Sequence, residues 1–549
     1  MLSLLRDKNK WKEVREKDEY EPLRKMLWDG YNKFCADVEF PALKFSDEMD
    51  LFRTGVQVNF ENLYFLRRKQ LTIYAMLTVI YPEESEYLDK LQDIIWEICN
   101  EHCWVLPAHR PAEWLDRRDG IDLFAAETGL YLAEIKQMLI DRLDPVVIDK
   151  ITTEIDKRIL ECFENNTCYF EGLRSNWAAV CGGSVAITFM YESPKRFDAI
   201  KYRIDLCMEH YLEGIGEDGT TSEGVDYWSY GFTFFVMYSD VRRRNTYGLV
   251  NEFSREKVKK LAGFLTANFL DEENTVSFSD ASSKGGYPLW TLHFLKKEYD
   301  IEMPPFEKGI LRFDKFSSTV RGFLYYSPEY ISHTLANGET YYDQLQWYIK
   351  RTDNYSFAVK GGNNGEEHNH NDVGSFIVIS DRQQILCDLG APEYNAKYNN
   401  ERYSVLNASS LGHSVPIVNG CAQKEGKEYS GKLTVDGNII SIDIKKAYPC
   451  EIEKLFRQFE LFDKAITMTD SFEGADVIER FITECEPQIK DKKIIIGNAV
   501  ISYDTGWEAS YTSQKIMSHD GKTPRTVYLI DFTRITECNS FTAEITFES

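Results

Sequence analysis

Residues 432–444 read Lys-Leu-Thr-Val-Asp-Gly-Asn-Ile-Ile-Ser-Ile-Asp-Ile. Apolar and polar residues alternate around Asp436-Gly437-Asn438, which predicts a β-hairpin closed by a glycine-containing turn. Further strand-like runs lie at 322–327, 355–360, 375–380, 455–462, 493–496 and 526–532. No helical pattern separates them, so this half reads as an antiparallel β-sandwich. Upstream the period changes. From about residue 10 to 300 apolar residues recur at i, i+3 and i+4, as in 87–98 and 135–151. Breaks fall near Pro82, 107–111, Pro145, Pro194 and 214–224. Roughly ten successive helices with few strands fit helix pairs closing into a toroid or solenoid, because each pair must bury its apolar stripe on the next. Met303-Pro304-Pro305 marks a linker. The expectation is an incomplete α/α toroid over 1–302 and an antiparallel β-sandwich over 306–549.

Bulk properties narrow the function. A chain of 549 residues is too long for one core. With 43% hydrophobic residues it packs as a globular protein. The 32 Tyr, 33 Phe and 10 Trp suit sugar-binding clefts, although sandwich cores consume aromatics too. A net charge of −24 argues against nucleic-acid binding through a basic field. A polyanionic substrate would need a local basic cleft, for which Arg117, Arg118, Arg174 and 242–244 are candidates or else solvated helix faces. Residues 1–26 are charged throughout, with no apolar core of a signal peptide, and no run reaches the ~18 residues of a membrane span. The twelve cysteines are irregularly spaced, as free thiols in a reducing compartment would be. A cytoplasmic location is expected, although a secreted or periplasmic protein trimmed of its leader would read the same. The oligomeric state is left open, a homodimer included.

Chemistry concentrates in two places. The first is Glu366-Glu367-His368-Asn369-His370-Asn371-Asp372, followed by Asp388-Leu389-Gly390 and Leu411-Gly412-His413. His368 and His370 are two apart, so an extended segment would put both imidazoles on one face. A His, Asp and His set suits a divalent metal, zinc first; the alternative is histidines that cap surface turns. The second is Asn176-Trp177, followed by the glycine-rich loop 216–224, which delivers Glu223, Tyr227 and Tyr230 to a helix start. Tyr227 and Tyr230, three apart, could share a face. A weaker segment runs from Cys103 through His109 to Asp122.

Together these motifs resemble the heparinase II/III-like polysaccharide lyases, across both halves of the chain. The resemblance rests on His368-Asn-His370-Asn-Asp372, Asp388-Leu-Gly390, His413, Asn176-Trp177, Glu223-Gly-x-x-Tyr-x-x-Tyr230 and 104–109. It implies an α/α toroid joined to a β-sandwich and β-elimination on uronic-acid-containing glycans such as glycosaminoglycans or alginate. Asn176 would neutralise the uronate carboxylate. Tyr230 would be the acid and, for one epimer, also the base, with His368 as alternative base or charge stabiliser. Trp177, Glu223, Tyr227, His109 and Arg402 would bind substrate. His370, Asp388 and His413 would hold a structural zinc, with no organic cofactor. Ala178 and Ala179 stand where some relatives carry an acid, or near where they carry a histidine, which favours an asparagine-type site. A short toroid would favour short oligosaccharides and exolytic action. Two other readings compete: a toroid hydrolase pairing Glu223 with Asp226 or Asp218, which needs carboxyls ~5–10 Å apart, and a non-catalytic glycan-binding protein of the same fold.

Overall fold

The computed structural model describes residues 1–110, 120–394 and 396–548. Arg117 and Arg118, two of the candidate cleft cations, lie outside the described residues. Helices prevail as far as Leu324. Leu123–Met138 and Asn176–Glu192 are apolar on nearly every side and buried accordingly, at the centre of the helical unit. Helix Asn176–Glu192 packs against Leu123–Met138, Pro194–Glu213 and Val225–Asn245. The run 135–151 is not one helix. One helix ends at Met138 and the next, Pro145–Ile155, starts where Asp144 accepts the Val146 N–H at 2.8 Å. Proline lacks the N–H that a helix interior needs and is at home in a first turn.

The helical unit also runs past Pro304-Pro305. Helix Phe316–Leu324 packs on Val58–Ile80, Leu123–Met138 and Leu289–Tyr299, and its Arg321 pairs with Glu134 at 2.7 Å. The strand expected at 322–327 is therefore corrected: it begins inside this helix. Phe316, Val320, Phe323 and Leu324 are all buried at helical spacing, and that period outweighs a short alternating run.

From Gly338 onward the chain forms antiparallel sheets of five, nine and four strands. The hairpin at 432–444 forms with Asp436 opposite Ile439, and Gly437 at φ +60° makes the turn that an L side chain would strain. The five-stranded sheet is a middle layer whose strands Ser356–Lys360 and Phe376–Ser380 are fully buried. Along its strand Phe376–Ser380, Phe376 and Val378 join the core under the nine-stranded sheet, while Ile377 and Ile379 join the helical core. Successive residues of a strand face opposite ways, so a run without polar interruption serves both neighbours. This dry layer seats the sheets on the helices and sets the loops of both units against each other. Among the described residues no helix is long and apolar enough to cross a membrane.

Candidate active site

Gly224, at φ +86°, releases the glycine-rich loop into helix Val225–Asn245. Tyr227 and Gly231 are four apart and share a helix face. That face meets the first turn of Asn176–Glu192. A Cβ on Gly231 would stand 3.0 Å from the Asn176 Cβ, so the missing side chain permits the approach. The buried Glu223 carboxyl accepts the Asn176 backbone N–H, while its Oε1 has no hydrogen-bond partner. Burial pushes the Glu223 carboxyl up to about 7.

The sheet unit contributes the next residue. The His368 ring stacks on Tyr227 with centroids 4.0 Å apart, and His368 Nε2 lies 3.9 Å from Glu223 Oε1. The segment that carries it is not extended, as the spacing suggested. It is a run of tight turns with His368 at φ +53°. The two imidazoles instead reach different oxygens of one carboxylate, that of Asp280. His368 Nδ1 donates to Oδ2 at 2.9 Å, and His370 Nε2 donates to Oδ1 at 3.1 Å. The Tyr394 and Tyr398 hydroxyls donate to Oδ2 at 2.7 and 2.9 Å, and Arg402 donates there at 3.2 Å. Burial opposes the charge on Asp280, but the hydrogen bonds from both histidines and the charge of Arg402 hold its carboxyl far below the usual range.

His370, Asp388 and His413 each offer a ligand atom, and these atoms lie within 4.8 Å of one another, all buried. His370 Nδ1 has no hydrogen-bond partner. His413 Nε2 is bonded to the Asn407 carbonyl at 2.6 Å, while Nδ1 lies 2.9 Å from Asp388. Both rings are thus held from behind, with one nitrogen turned to the shared centre, as in metal sites. Gly390, at φ +63°, lets the Asp388 loop approach the Asp280 loop; a Cβ there would stand 2.3 Å from the Ala281 carbonyl oxygen.

Tyr230 is used differently from Tyr227. Its hydroxyl donates to Glu127, which also receives Lys315 Nζ at 2.7 Å, and Lys315 lies 3.2 Å from the phenol oxygen. Burial, then the charge of Glu127, raises the Tyr230 phenol well above its ordinary value. Both tyrosines and Asp280 line a cleft of about 1280 Å³. His109 and Trp177 meet edge to face at 4.9 Å and line a second hollow of about 730 Å³ with Tyr169. The carboxylates of the hydrolase reading are engaged elsewhere. Asp218 binds the Thr220 hydroxyl and the Gln344 N–H, and Asp226 accepts the Ser282 N–H at 2.7 Å.

Sequence reasoning missed Asp280, Tyr394, Tyr398, Glu127 and Lys315. Two had a signal. Glu127 is a lone acid in the apolar run 123–133, and a buried carboxylate requires a partner. Asp280 is the only acid in the Ser/Gly-rich stretch 277–286.

Comparison with known proteins follows this geometry. Residues 337–437 match the heparinase II/III-like C-terminal family. No curated protein matches the chain in sequence. Among solved structures, the chain resembles the heparan sulfate lyase HepC from Pedobacter heparinus, at 10% identity and TM-score 0.59, over 99% of this chain and 93% of that one. It resembles a heparinase III at 13% identity and TM-score 0.63, over 98% and 91%. It also resembles the Streptomyces coelicolor A3 chondroitin AC lyase, solved with chondroitin sulphate, at 8% identity and TM-score 0.54, over 100% and 83%. Residues 337–437 thus resemble the heparinase II/III-like C-terminal family, and the chain as a whole has the helical-plus-sheet fold of the polysaccharide lyases it resembles.

Proposed function

We propose that the protein is a polysaccharide lyase that cleaves uronic-acid-containing glycans by β-elimination. The observation that carries this reading is the convergence of Asn176, Glu223 and Tyr227 from the helical unit with His368 from the sheet unit, beside a cleft large enough for several sugar rings. The uronate C5 proton lies α to a carboxylate and is weakly acidic. As it leaves, negative charge builds on the carboxylate oxygens, so donors aimed there lower the barrier. One such donor is worth ~10²–10³ in rate. Asn176 fills that role through its amide. Glu223, whose carboxyl is raised by burial to about 7, supplies a second hydrogen bond in its protonated form. His368 takes the C5 proton and Tyr227 protonates the departing glycosidic oxygen, each role worth ~10²–10⁴. The C5–H and C4–O bonds break, a C4–C5 double bond forms, and no water is consumed.

The geometry supports Tyr227 as the acid. The resemblance points to Tyr230 as acid, but Tyr227 is the ring stacked on His368 and on the helix face that meets Asn176. Tyr230 becomes a wall of the cleft, held by Glu127 and Lys315. Trp177 and His109 offer an aromatic surface for a neighbouring sugar. His370 Nδ1, Asp388 and His413 Nδ1 fit a structural zinc: two nitrogens and one oxygen, buried, with one ring nitrogen otherwise orphaned. When bound, zinc would tie the histidine, Asp388 and His413 loops together and take no part in bond cleavage.

Product mass tests the reaction class. Elimination yields fragments that sum to the parent sugar, with one end unsaturated. Fragments heavier by one water per cut would mean a hydrolase.

A further inference from the structure

We propose that Asp280 is the positioning carboxylate that sets His368 and His370 in opposite tautomers, and so separates a proton-transfer role from a metal-binding role two residues apart. This rests on the elimination site proposed above. An ionised carboxylate only accepts hydrogen bonds. Each nitrogen bonded to Asp280 therefore carries a proton, and the other nitrogen of a neutral ring carries the lone pair. For His368 the bonded atom is Nδ1, which leaves Nε2, 3.9 Å from Glu223, to act as base. For His370 the bonded atom is Nε2, which leaves the buried and otherwise partnerless Nδ1 for the metal set. The left-handed backbone at His368 lets two residues so close in sequence reach different oxygens of one group.

The same carboxylate steers the phenol. Tyr394 donates to Asp280, so its own oxygen is the acceptor for the Tyr227 hydroxyl at 3.1 Å. Five donors from the sheet unit thus converge on one carboxylate from the helical unit, which offsets the cost of burying that charge. An asparagine of the same shape cannot replace it. Its amide oxygen serves one histidine, while its NH₂ confronts the N–H of the other.

The test uses the full-length protein labelled with ¹⁵N-histidine, with His368→Gln and His370→Gln to assign signals. Long-range ¹H–¹⁵N spectra of the wild type should show His368 protonated at Nδ1 and His370 at Nε2. The same tautomer on both rings overturns the proposal, even if no variant folds. In Asp280→Asn at least one ring should change tautomer, zinc affinity should fall ~10–100-fold, and kcat should fall ~10²–10⁴-fold with KM little changed, the pattern of a lost orienting carboxylate. Tyr398→Phe removes one donor to Asp280 but neither histidine bond, and should leave both tautomers as in the wild type. Unchanged tautomers in Asp280→Asn, or a kcat within about threefold of the wild type, near the weight of one neutral hydrogen bond, would reduce Asp280 to a structural contact and overturn the proposal. If the wild type turns over no uronate glycan, the lyase reading fails, while the tautomer and zinc measurements still decide the role of Asp280.

Discussion

Glu223→Gln should raise stability at alkaline pH relative to the wild type. The carboxyl is buried beside Asn176 and His368, and burial lifts it from its ordinary 4.5 to about 7. Between those values the unfolded chain has released the proton and the folded chain has kept it, so stability falls as pH rises through this window. At pH 5.5 the loss is ~1 kcal/mol, and by pH 8.5 it reaches ~3 kcal/mol, at 1.36 kcal/mol per decade of proton affinity. Glutamine has nearly the same shape and no proton to lose, so the variant gains ~2 kcal/mol on the wild type across that range. For 549 residues, at an unfolding entropy of ~2.1 cal/mol/K per residue, this is a shift of ~2 °C. The assay is thermal unfolding of both proteins at matched ionic strength from pH 5.5 to 8.5. A Tm gap that widens with pH in favour of glutamine is expected. A constant gap, or one that widens in favour of the wild type, would refute the claim that Glu223 is held neutral by burial. Glutamine also offers a permanent donor, so if donation alone matters the variant should keep kcat at alkaline pH better than at acidic pH.

Tyr227→Phe should lower kcat by ~10²-fold or more with an unchanged melting curve. Tyr230→Phe should cost less than about tenfold in rate, since it loses a contact to Glu127 and not an acid–base group; steady-state kinetics that reverse this order would return the acid role to Tyr230. Asn176→Ala should cost ~10²–10³ in kcat without unfolding. His370→Ala should lose bound metal, by elemental analysis, and melt earlier, because a structural metal's binding energy is folding energy; unchanged metal content would exclude His370 as a ligand. Arg321→Ala leaves Glu134 buried without its partner and should destabilise by ~3–5 kcal/mol in denaturant unfolding.

Much of the architecture was legible because it is periodic. The change from helical spacing to alternation anticipates a helical region followed by a sheet-forming one, although the helices run past Met303 to Leu324 and the sheets begin at Gly338, and Asp436-Gly437-Asn438 marks a real hairpin. Where two periods competed over a few residues, at 322–327, the longer helical pattern from Phe316 prevailed. The candidate metal set was readable as residue types, and the structure brings all three side chains together. The arrangement around it was not. Asp280 meets His368 across 88 residues, and Lys315 meets Glu127 across 188. No local pattern encodes such pairings: the first exists because the sheet unit docks on the helices, the second because helix Phe316–Leu324 packs on Leu123–Met138. The conformation of His368 was misread because a two-residue spacing suggests a strand, whereas the backbone turns left-handed at His368.

The most direct test of the central claim is ultraviolet absorbance of the conjugated uronate during incubation with short and long heparan, chondroitin, hyaluronan and alginate. A rise on at least one glycan, lost in Tyr227→Phe and in Asn176→Ala, is expected. Sugar release with no rise in absorbance would contradict β-elimination.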